Sequence, residues 1–444
     1  MSSSEGGEQA RSTADAVARR SYGKLVAFLA ARTRDVASVE DALSEAFAAA
    51  LTDWPKNGCP ANPEGWLLTA ARRKLIDFAR RRRTGESASG ELQLLAQELE
   101  AAAAATTSDP QLPDQRLALM FACAHPAIEA GVRAPLILQV LLGLDAVMIA
   151  SAFLTSPAAM GQRLVRAKDK IRRAGVPFRV PEREELPGRL GAVLDAIYAA
   201  FAEGWTDSGG TDAARRDLAE EALFLGQLVV QLLPDEPEAL GLLALMLYVE
   251  ARRPARRNAA GEYVPLAEQD TALWNSAMIK AAEGLLLHAS PMGVIGRYQL
   301  EAALQSAHVN RRCKGDPNWP AVVQIYDALL ALSGSPVVGI NRAVAVAEVA
   351  GAAAGLEALQ ALAEDRRLTE YQPYWAARAE LLARTGACDE ARHAYEVAIG
   401  LERDPAVRRF LQQRQAALTS WRPSDELRET QDERPPITND RKLN

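Results

Sequence analysis

The chain reads EDALSEAFAAAL at residues 40–51 and NPEGWLLTAARRKLIDFARRRR at residues 62–83. In the first stretch Leu43, Phe47 and Leu51 recur every four residues, which predicts a helix with an apolar stripe. The residues expected on its outer face are Glu40, Asp41 and Glu45. Taken alone, an acidic face of this kind is typical of any solvated helix. The second stretch therefore carries the more specific signal.

The second stretch predicts a helix that becomes strongly basic towards its end. Residues 72–83 contain seven Arg and Lys and one Asp, so this segment carries 7 − 1 = +6 in a chain of net charge −6. Such a helix is suited to neutralising DNA phosphates, although cationic residues also favour the negative end of any helix dipole. The side chains predicted to be buried are Trp66, Leu67, Ala70, Ala71, Leu75 and Phe78. Residues 55–63, PKNGCPANP, are predicted to interrupt the two helices.

A helix-turn-helix pattern is predicted at residues 136–173. Gly143 is placed to close one apolar helix and Asp145 to cap the next, which carries Ile149, Ala150 and Phe153 towards the core. Ser156 and Pro157 then have the N-cap and first-turn preferences of a new helix. The predicted apolar face of that helix is Met160, Leu164, Ala167 and Ile171, opposite a basic face. Helical hairpins are common, so this pattern alone is weak support for DNA binding.

Composition excludes several classes of protein. With 48% hydrophobic and 24% charged residues, the 444-residue chain is typical of a soluble globular protein with two to four compact units. A signal peptide and a membrane span are not predicted, so the cytoplasm is the expected location. The Cys and His residues are scattered, which predicts buried thiols and neither a metal site nor a cofactor. Phosphate-binding loops and the motifs HExxH and GxSxG are missing from the sequence, so an enzyme is not expected.

The two stretches at residues 40–83 resemble region 2 of the sigma-70 family in its extracytoplasmic-function branch. The resemblance implies a helical module that docks on bacterial core RNA polymerase and melts the minus-ten element of promoter DNA. By resemblance, the polymerase-binding residues are Asp41, Glu45 and Phe47. The minus-ten residues are Asn62, Pro63, Trp66, Arg72, Arg73, Asp77 and Arg80. Relatives often have Gln where this chain has Ser44.

Residues 156–172, SPAAMGQRLVRAKDKIR, are similar to the recognition helix of sigma region 4, which reads the minus-thirty-five element in the major groove. The expected base contacts are Gln162 and Arg163, and the expected phosphate contacts are Arg166, Lys168 and Lys170. The preceding helix begins with DAVM, where relatives have Thr or Ser followed by two Glu. Its cap is retained, whereas its polar surface is not.

The C-terminal half predicts helical repeats. Residues 375–398 match the spacing of a tetratricopeptide hairpin at Trp375, Ala379, Leu382, Gly386, Ala391, Tyr395 and Ala398. Residues 238–256 and 261–275 resemble the sigma subgroup with a tetratricopeptide-like extension, which implies an unknown protein or small-molecule regulator and no membrane partner. A groove is one explanation for Tyr263, Glu268, Asp270, Trp274, Arg297, Tyr298 and Asn341, and core packing explains them equally well.

The predicted fold is all-α. Its expected segments are a disordered tail (1–14), sigma region 2 (15–83), a linker (84–113), the region 4 helix-turn-helix (114–175), a connector (176–189), the tetratricopeptide-like domain (190–421) and a disordered tail (422–444). The predicted function is that of an alternative sigma factor regulated through its C-terminal domain. The alternatives are a helical-repeat scaffold and a helix-turn-helix regulator that acts without polymerase.

Overall fold

The computed structural model describes residues 3–82, 114–153, 155–205, 213–315 and 318–418. The linker predicted at 84–113 and the tail at 422–444 lie outside the described residues. Within these ranges the chain is built from α-helices, short 3-10 helices and one isolated antiparallel bridge, between Arg257 and Tyr263. The all-α prediction is confirmed. The chain divides into two compact units, Met1–Met246 and Leu247–Asn444.

The first unit begins with three helices, here called the first module: α1 (Ser3–Thr33), α2 (Val36–Asn57) and α3 (Pro63–Arg82). The three helices pack on one another through Leu25, Leu29, Leu43, Trp54 and Leu67. Asp35 caps α2, because its carboxylate accepts from the Ser38 amide at 3.1 Å and from the Ser38 hydroxyl at 2.9 Å. The module therefore has both local end signals and a shared core.

Two expectations for this module need correction. Residues 3–14 belong to α1 rather than to a tail, and Ala14 is buried against the module. Pro55 does not end α2, which continues to Asn57 and closes at Gly58, whose amide donates to the Trp54 carbonyl oxygen at 2.9 Å. Proline removes only one backbone donor so near a helix end, and the burial of Trp54 outweighs that loss.

Four further helices, here called the second module, are α4 (Arg116–Cys123), α5 (Ala130–Leu142), α6 (Ala146–Ala152) and α7 (Pro157–Ala174). Gly143 ends α5 with φ +66°, as predicted. Asp145 accepts from the Met148 amide at 2.8 Å, and Ser156 caps α7 by accepting from the Ala159 amide at 3.3 Å. The predicted apolar face of α7 is buried: Met160, Leu164, Ala167 and Ile171.

The first unit continues with α8 (Leu190–Trp205), α9 (Ala213–Leu232) and most of α10 (Pro237–Glu250). Helices α8 and α9 pack closely on each other, and α8 also packs on α5. Within the connector predicted at 176–189, Arg183–Glu185 forms a 3-10 turn. None of the helices in the described ranges combines the length and apolarity that crossing a membrane requires.

The helices of the second unit after α10 are α11 (Ser276–Ala289), α12 (Arg297–Lys314), α13 (Trp319–Ser333), α14 (Pro336–Ala350), α15 (Ala352–Gln360), α16 (Gln372–Arg384), α17 (Cys388–Leu401) and α18 (Pro405–Ala417). From α12 to α18, each helix packs on the next. The segment 251–275 departs from the predicted helical pattern, since it holds only two 3-10 turns, at Arg253–Arg256 and Thr271–Leu273. Pro254 and Pro265 lack the backbone donors of a continuous helix.

Helices α16 and α17 form a helical hairpin that includes residues 375–398. The small residues Ala379, Ala391 and Ala398 are fully buried between the two helices, and Tyr395 is 2% exposed. Gly386 joins them with φ +81°, which an L side chain adopts only with strain. The small residues thus occupy the positions of closest helix approach.

Candidate nucleic-acid interface

A groove of about 550 Å³ runs along the start of α3 and the loop that precedes it. Its lining includes two aromatic residues, Phe28 and Trp66, and three polar ones, Asn62, Arg72 and Arg73. The remaining lining residues are Pro60, Gly65, Leu68, Thr69 and Ala70. Aromatic faces beside guanidinium groups are the combination that holds unstacked bases.

The aromatic wall is held by a second tryptophan. Trp54 is 1% exposed, and its ring meets the half-buried ring of Trp66 edge to face, with centroids 5.5 Å apart. Edge-to-face contact is a favourable arrangement of two aromatic rings. Trp54 therefore constrains the position of Trp66, which also lines the groove.

Asn62 has a structural role that accounts for its side-chain oxygen. Its Oδ1 accepts from the Gly65 amide at 2.9 Å, and its backbone oxygen accepts from the Trp66 amide at 3.2 Å. Asn62 is thus the cap that starts α3. A Cβ atom at Gly65 would lie 2.9 Å from the Asn62 amide nitrogen, so the glycine leaves room for the cap. Asn62 as a whole is exposed.

Sequence reasoning missed one cation that contacts a residue of this groove. Arg32 on α1 stacks its guanidinium over the Phe28 ring at 3.8 Å from the centroid, and its Nη1 donates to the Phe28 carbonyl oxygen at 2.7 Å. The ring of Phe28 in turn lines the groove. The available signal was the four-residue spacing of the pair, which places both side chains on one helix face.

The structure brings together four of the seven predicted minus-ten residues, namely Asn62, Trp66, Arg72 and Arg73. Pro63 is the first residue of α3, and Asp77 is exposed further along the same helix. The side chain of Arg80 lies outside the described residues.

Helix α2 exposes both acidic and apolar side chains. Asp41 is exposed, and Glu45 forms an ion pair with Lys74 of α3 in which Nζ and Oε2 are 2.6 Å apart. Both partners are nearly half exposed, so the pair contributes little to stability. The predicted apolar stripe is only partly buried, because Phe47 is half-buried and Leu51 is 46% exposed. The carboxylates of Asp41 and Glu45 are thus accessible on one side of α2, and Leu51 is accessible on a different side.

Helix α7 exposes most of the residues predicted to contact the minus-thirty-five element. Gln162, Arg163, Arg166 and Lys170 all lie on its exposed side, together with Val165, which is 68% exposed. Basic side chains around an apolar one can contact phosphates, base edges and thymine methyl groups. The exposed face therefore retains the chemistry that the sequence predicted.

Lys168 departs from that prediction. Its Nζ lies 2.6 Å from Oε2 of Glu40 on α2, and the two side chains are only 14% and 16% exposed. Burial raises the pKa of Glu40, and the attraction of Lys168 only partly offsets this effect. The spacing explains the difference, because Lys168 follows Leu164 by four residues and precedes Ile171 by three. It therefore lies beside the buried face and not on the outward one.

The thiols follow the prediction of buried cysteines only in part. Cys123 is buried, Cys388 is half-buried and Cys59 is exposed. The side chain of Cys313 lies outside the described residues. Trp274 and Tyr298 are core residues of the second unit, which agrees with the core-packing alternative for these two positions. A groove of about 610 Å³ instead lies beside α16 and α17, where its lining includes Trp375, Arg378 and His393.

Comparison with known proteins identifies two matching family models and one similar protein. Residues 17–84 match the family model for sigma-70 region 2, so this part of the chain is similar to that region of the sigma-70 family. Residues 189–290 match a family of unknown function, DUF6596. An uncharacterized protein of Rhizobium meliloti (strain 1021) is 37% identical over 370 residues, which span 83% of this chain and 87% of the relative. The chain belongs to the same protein family as this relative. No solved structure matches this chain.

Proposed function

We propose that the protein is an alternative sigma factor of the extracytoplasmic-function type, which binds core RNA polymerase and directs it to promoters. The first module engages polymerase through Asp41, Glu45 and Phe47 of α2. The groove of α3 holds the melted minus-ten strand, and α7 reads the minus-thirty-five element. The domain that follows, with its tetratricopeptide-like hairpin, acts as the regulatory input for an unknown protein or small molecule.

The groove is the observation that carries this proposal. Holding a promoter open requires a base to leave the double helix and to stack on a protein surface, which costs a few kcal/mol for each unstacked base. The Trp66 ring, with Arg72 and Arg73 beside it, offers stacking and phosphate neutralisation in one place. Stacking on an aromatic side chain contributes about 1–3 kcal/mol per base. The two terms are therefore of similar size, and the groove is suited to keeping a melted strand.

The α2 surface supports the polymerase-binding part of the proposal. Basic residues of a partner can pair with Asp41 and Glu45, and its apolar side chains can pack on the exposed Leu51 and the half-buried Phe47 on the adjoining side of α2. Electrostatic complementarity at such a contact increases the association rate and fixes the register.

Charge reversal tests the proposal. We expect Arg72→Glu with Arg73→Glu to abolish promoter opening in a reconstituted reaction with bacterial core polymerase, because repulsion replaces attraction for the strand. Polymerase binding should remain. The measurements are co-purification with polymerase and permanganate reactivity of unpaired thymines at mapped transcript starts.

The matched control is Arg403→Glu with Arg409→Glu, which makes the same charge change at exposed positions of the second unit. This control should open promoters as the native chain does. A native chain that gives no stimulation of initiation would contradict the proposal. DNA binding that is the same with and without polymerase would favour an independent helix-turn-helix regulator, and absence of both activities would favour a repeat scaffold.

A further inference from the structure

The groove beside α16 and α17 is formed by a helical hairpin and the connection that precedes it. The two helices pack on each other and are joined only by residues 385–387, so they run antiparallel. Residues at equal separation from Gly386 therefore lie at about the same height along the hairpin. Arg378 and His393, which both line the groove, are at one such height. The hairpin thus sets the order of the side chains along the groove.

The end of the groove farthest from residues 385–387 is apolar. Trp375 is half-buried here, and its Nε1 already donates to the carbonyl oxygen of Thr369 at 3.0 Å. The ring of Tyr374 meets that of Trp375 edge to face, with centroids 5.5 Å apart, and Leu368 is 2% exposed. Because the indole donor is already used, Trp375 offers a ligand apolar ring surface rather than a hydrogen bond.

The middle of the groove, about one helical turn further along, is cationic. Arg378 is half-buried, and the one polar contact it makes within the described ranges is with the Tyr374 hydroxyl, 3.4 Å from Nη1. His393 is 73% exposed beside it, with Nδ1 3.9 Å from the Glu396 carboxylate. A guanidinium has five N–H donors, so Arg378 retains donors for a ligand. Paired hydrogen bonds to a carboxylate are its preferred use of them.

The end of the groove nearest residues 385–387 is acidic. Asp389 and Glu390 occupy the first turn of α17, and both are exposed. The carboxylate of Asp389 is paired with Arg392 of the same helix at 2.7 Å, whereas Glu390 forms no ion pair in the part of the chain that the structure describes. Acidic residues in a first turn also favour the helix dipole. Glu390 additionally lines the groove, where it can pair with a cation of a ligand.

The order of these three parts defines the ligand. The complementary groups are apolar, anionic and cationic, at steps of about one helical turn, or about 5.4 Å. Alternate residues of an extended peptide project to one side at a similar interval of about 6.6–6.8 Å. A helical peptide about 10–12 Å wide would need roughly 850–1,200 Å³ over the same two turns. The groove holds about 610 Å³, so an extended peptide fits it better.

Two other classes of ligand match the groove less well. A nucleic-acid strand would bring phosphates close to Asp389 and Glu390, and like charges repel. A small molecule is commonly enclosed over about 70–90% of its surface. Here the side chains of His393 and Asp389 are 73% and 92% exposed, so the α17 side of the groove is open to solvent.

We propose that this groove binds an extended segment of a partner protein, with an apolar, an acidic and a basic side chain at alternate positions and in this order. Trp375 receives the apolar side chain, Arg378 the acidic one and Glu390 the basic one. The biological role of this site rests on the proposed function, because the segment would be the regulatory input of an alternative sigma factor. Binding itself is testable without polymerase.

Three fluorescein-labelled peptides of identical composition test the order of groups on the full chain. TFTETKT has the proposed order, whereas TFTKTET and TETFTKT have other orders, and the threonines favour an extended backbone. The measurement is fluorescence polarisation. TFTETKT should bind about tenfold more tightly or better, because the other orders place charges against like charges or apolar surface.

Charge changes in the groove test the two polar contacts. Arg378→Gln and Glu390→Lys should each weaken binding of TFTETKT about tenfold, and Glu390→Lys should instead prefer TFTETET, in which the basic group is replaced by an acidic one. The matched controls are Arg403→Gln and Glu357→Lys, at exposed positions outside the groove lining, which should bind TFTETKT as the native chain does. Circular dichroism and the urea midpoint should be unchanged in all four variants.

Each possible failure has a distinct meaning. No binding, equal binding of the three peptides, or unchanged binding by the folded Arg378→Gln variant would refute the peptide site. An apparent affinity that weakens as the chain concentration rises would show that a second copy occupies the groove, which would also overturn the proposal. If TFTETKT binds as expected but the native chain never stimulates initiation, the sigma function fails and the peptide site stands. Stimulated initiation without any preferred peptide order would give the opposite result.

Discussion

Gly355 marks the closest approach between α14 and α15 in the second unit. A Cβ atom there would lie 2.5 Å from the Ala347 Cβ and 2.8 Å from the Ala343 carbonyl oxygen. Neither neighbour can move away, since one is held by its own backbone and the other is backbone. The two helices can therefore approach this closely only because position 355 has no side chain.

We expect Gly355→Ala to lower the free energy of unfolding by about 1–3 kcal/mol, as overpacking of a core does. The measurement is urea denaturation of the full chain. The matched control is Gly400→Ala on α17, where a Cβ atom would meet nothing within 4 Å. Because alanine is the better helix former, this control should raise the free energy of unfolding by about 0.5–1 kcal/mol. Equal effects of the two substitutions would contradict this account of Gly355.

At the level of single residues, the caps could be predicted from the sequence, whereas the partners of buried charges could not. Ser156, Asp145 and Gly143 act locally, through hydrogen bonds within four residues, so their types and positions sufficed. The partner of Lys168 is 128 residues away in the chain. No spacing rule identifies Glu40 over the other carboxylates, and only the packing of α7 on α2 selects it.

At the level of elements, we expect substitutions of two neighbouring arginines on α7 to change DNA binding in different ways. Arg163→Ala should relax base preference at one position of the minus-thirty-five element and cost about 1–3 kcal/mol there. Arg166→Ala should weaken binding to all sequences alike and reduce the slope of binding against salt by about one. Binding of the polymerase complex to promoter variants at several salt concentrations measures both. Identical profiles for the two variants would contradict the assigned roles.

The helix ends show which boundaries could be predicted from the sequence and which could not. Helices α6 and α7 begin where capping residues predict, because these preferences operate within one turn. Helix α2 continues past Pro55, since tertiary burial of Trp54 determines that end. The segment 251–275 departs from the helical pattern predicted for residues 190–421. Its two 3-10 turns depend on long-range contacts, such as the ion pair of Arg257 with Asp404 at 2.6 Å.

At the level of the first unit, the Arg116 cluster predicts a clear loss of stability. Arg116→Met leaves Asp114 and Glu221 without their shared cation, and both carboxylates are well below half exposed. We expect the free energy of unfolding to fall by about 3 kcal/mol, as when one partner of a buried pair is removed. Calorimetry of the full chain measures the change.

The control for Arg116 is Arg173→Met on α7, which removes an ion pair with Asp169 from an arginine that is 75% exposed. Its effect should remain below about 0.5 kcal/mol, as for most surface substitutions. A similar loss of unfolding free energy in both variants would show that the cluster around Arg116 contributes no more to stability than a surface ion pair.

At the level of the whole molecule, helical periodicity was sufficient for the fold class but not for the packing of the modules. Each amphipathic stretch indicates which of its faces is buried, and Met160, Leu164 and Ile171 were assigned correctly on that basis. Periodicity does not indicate which buried face meets which. The approach of α1 to α5 at Gly23 depends on backbone shape in three dimensions, and a glycine within a helix gives only a weak hint of it.

The crossing at Gly23 also limits how this protein can be recombined with its relatives. Consider a hybrid that joins residues 1–82 of this chain to the C-terminal part of a relative. In this hybrid, the backbone at Gly23 would pack against the α5 helix of the relative. A side chain at the position of Gly23 would collide with α5. Without a carboxylate at the position of Glu40, Lys168 would lose its ion-pair partner. The two modules therefore have to be exchanged as one piece, together with both surfaces of their contact.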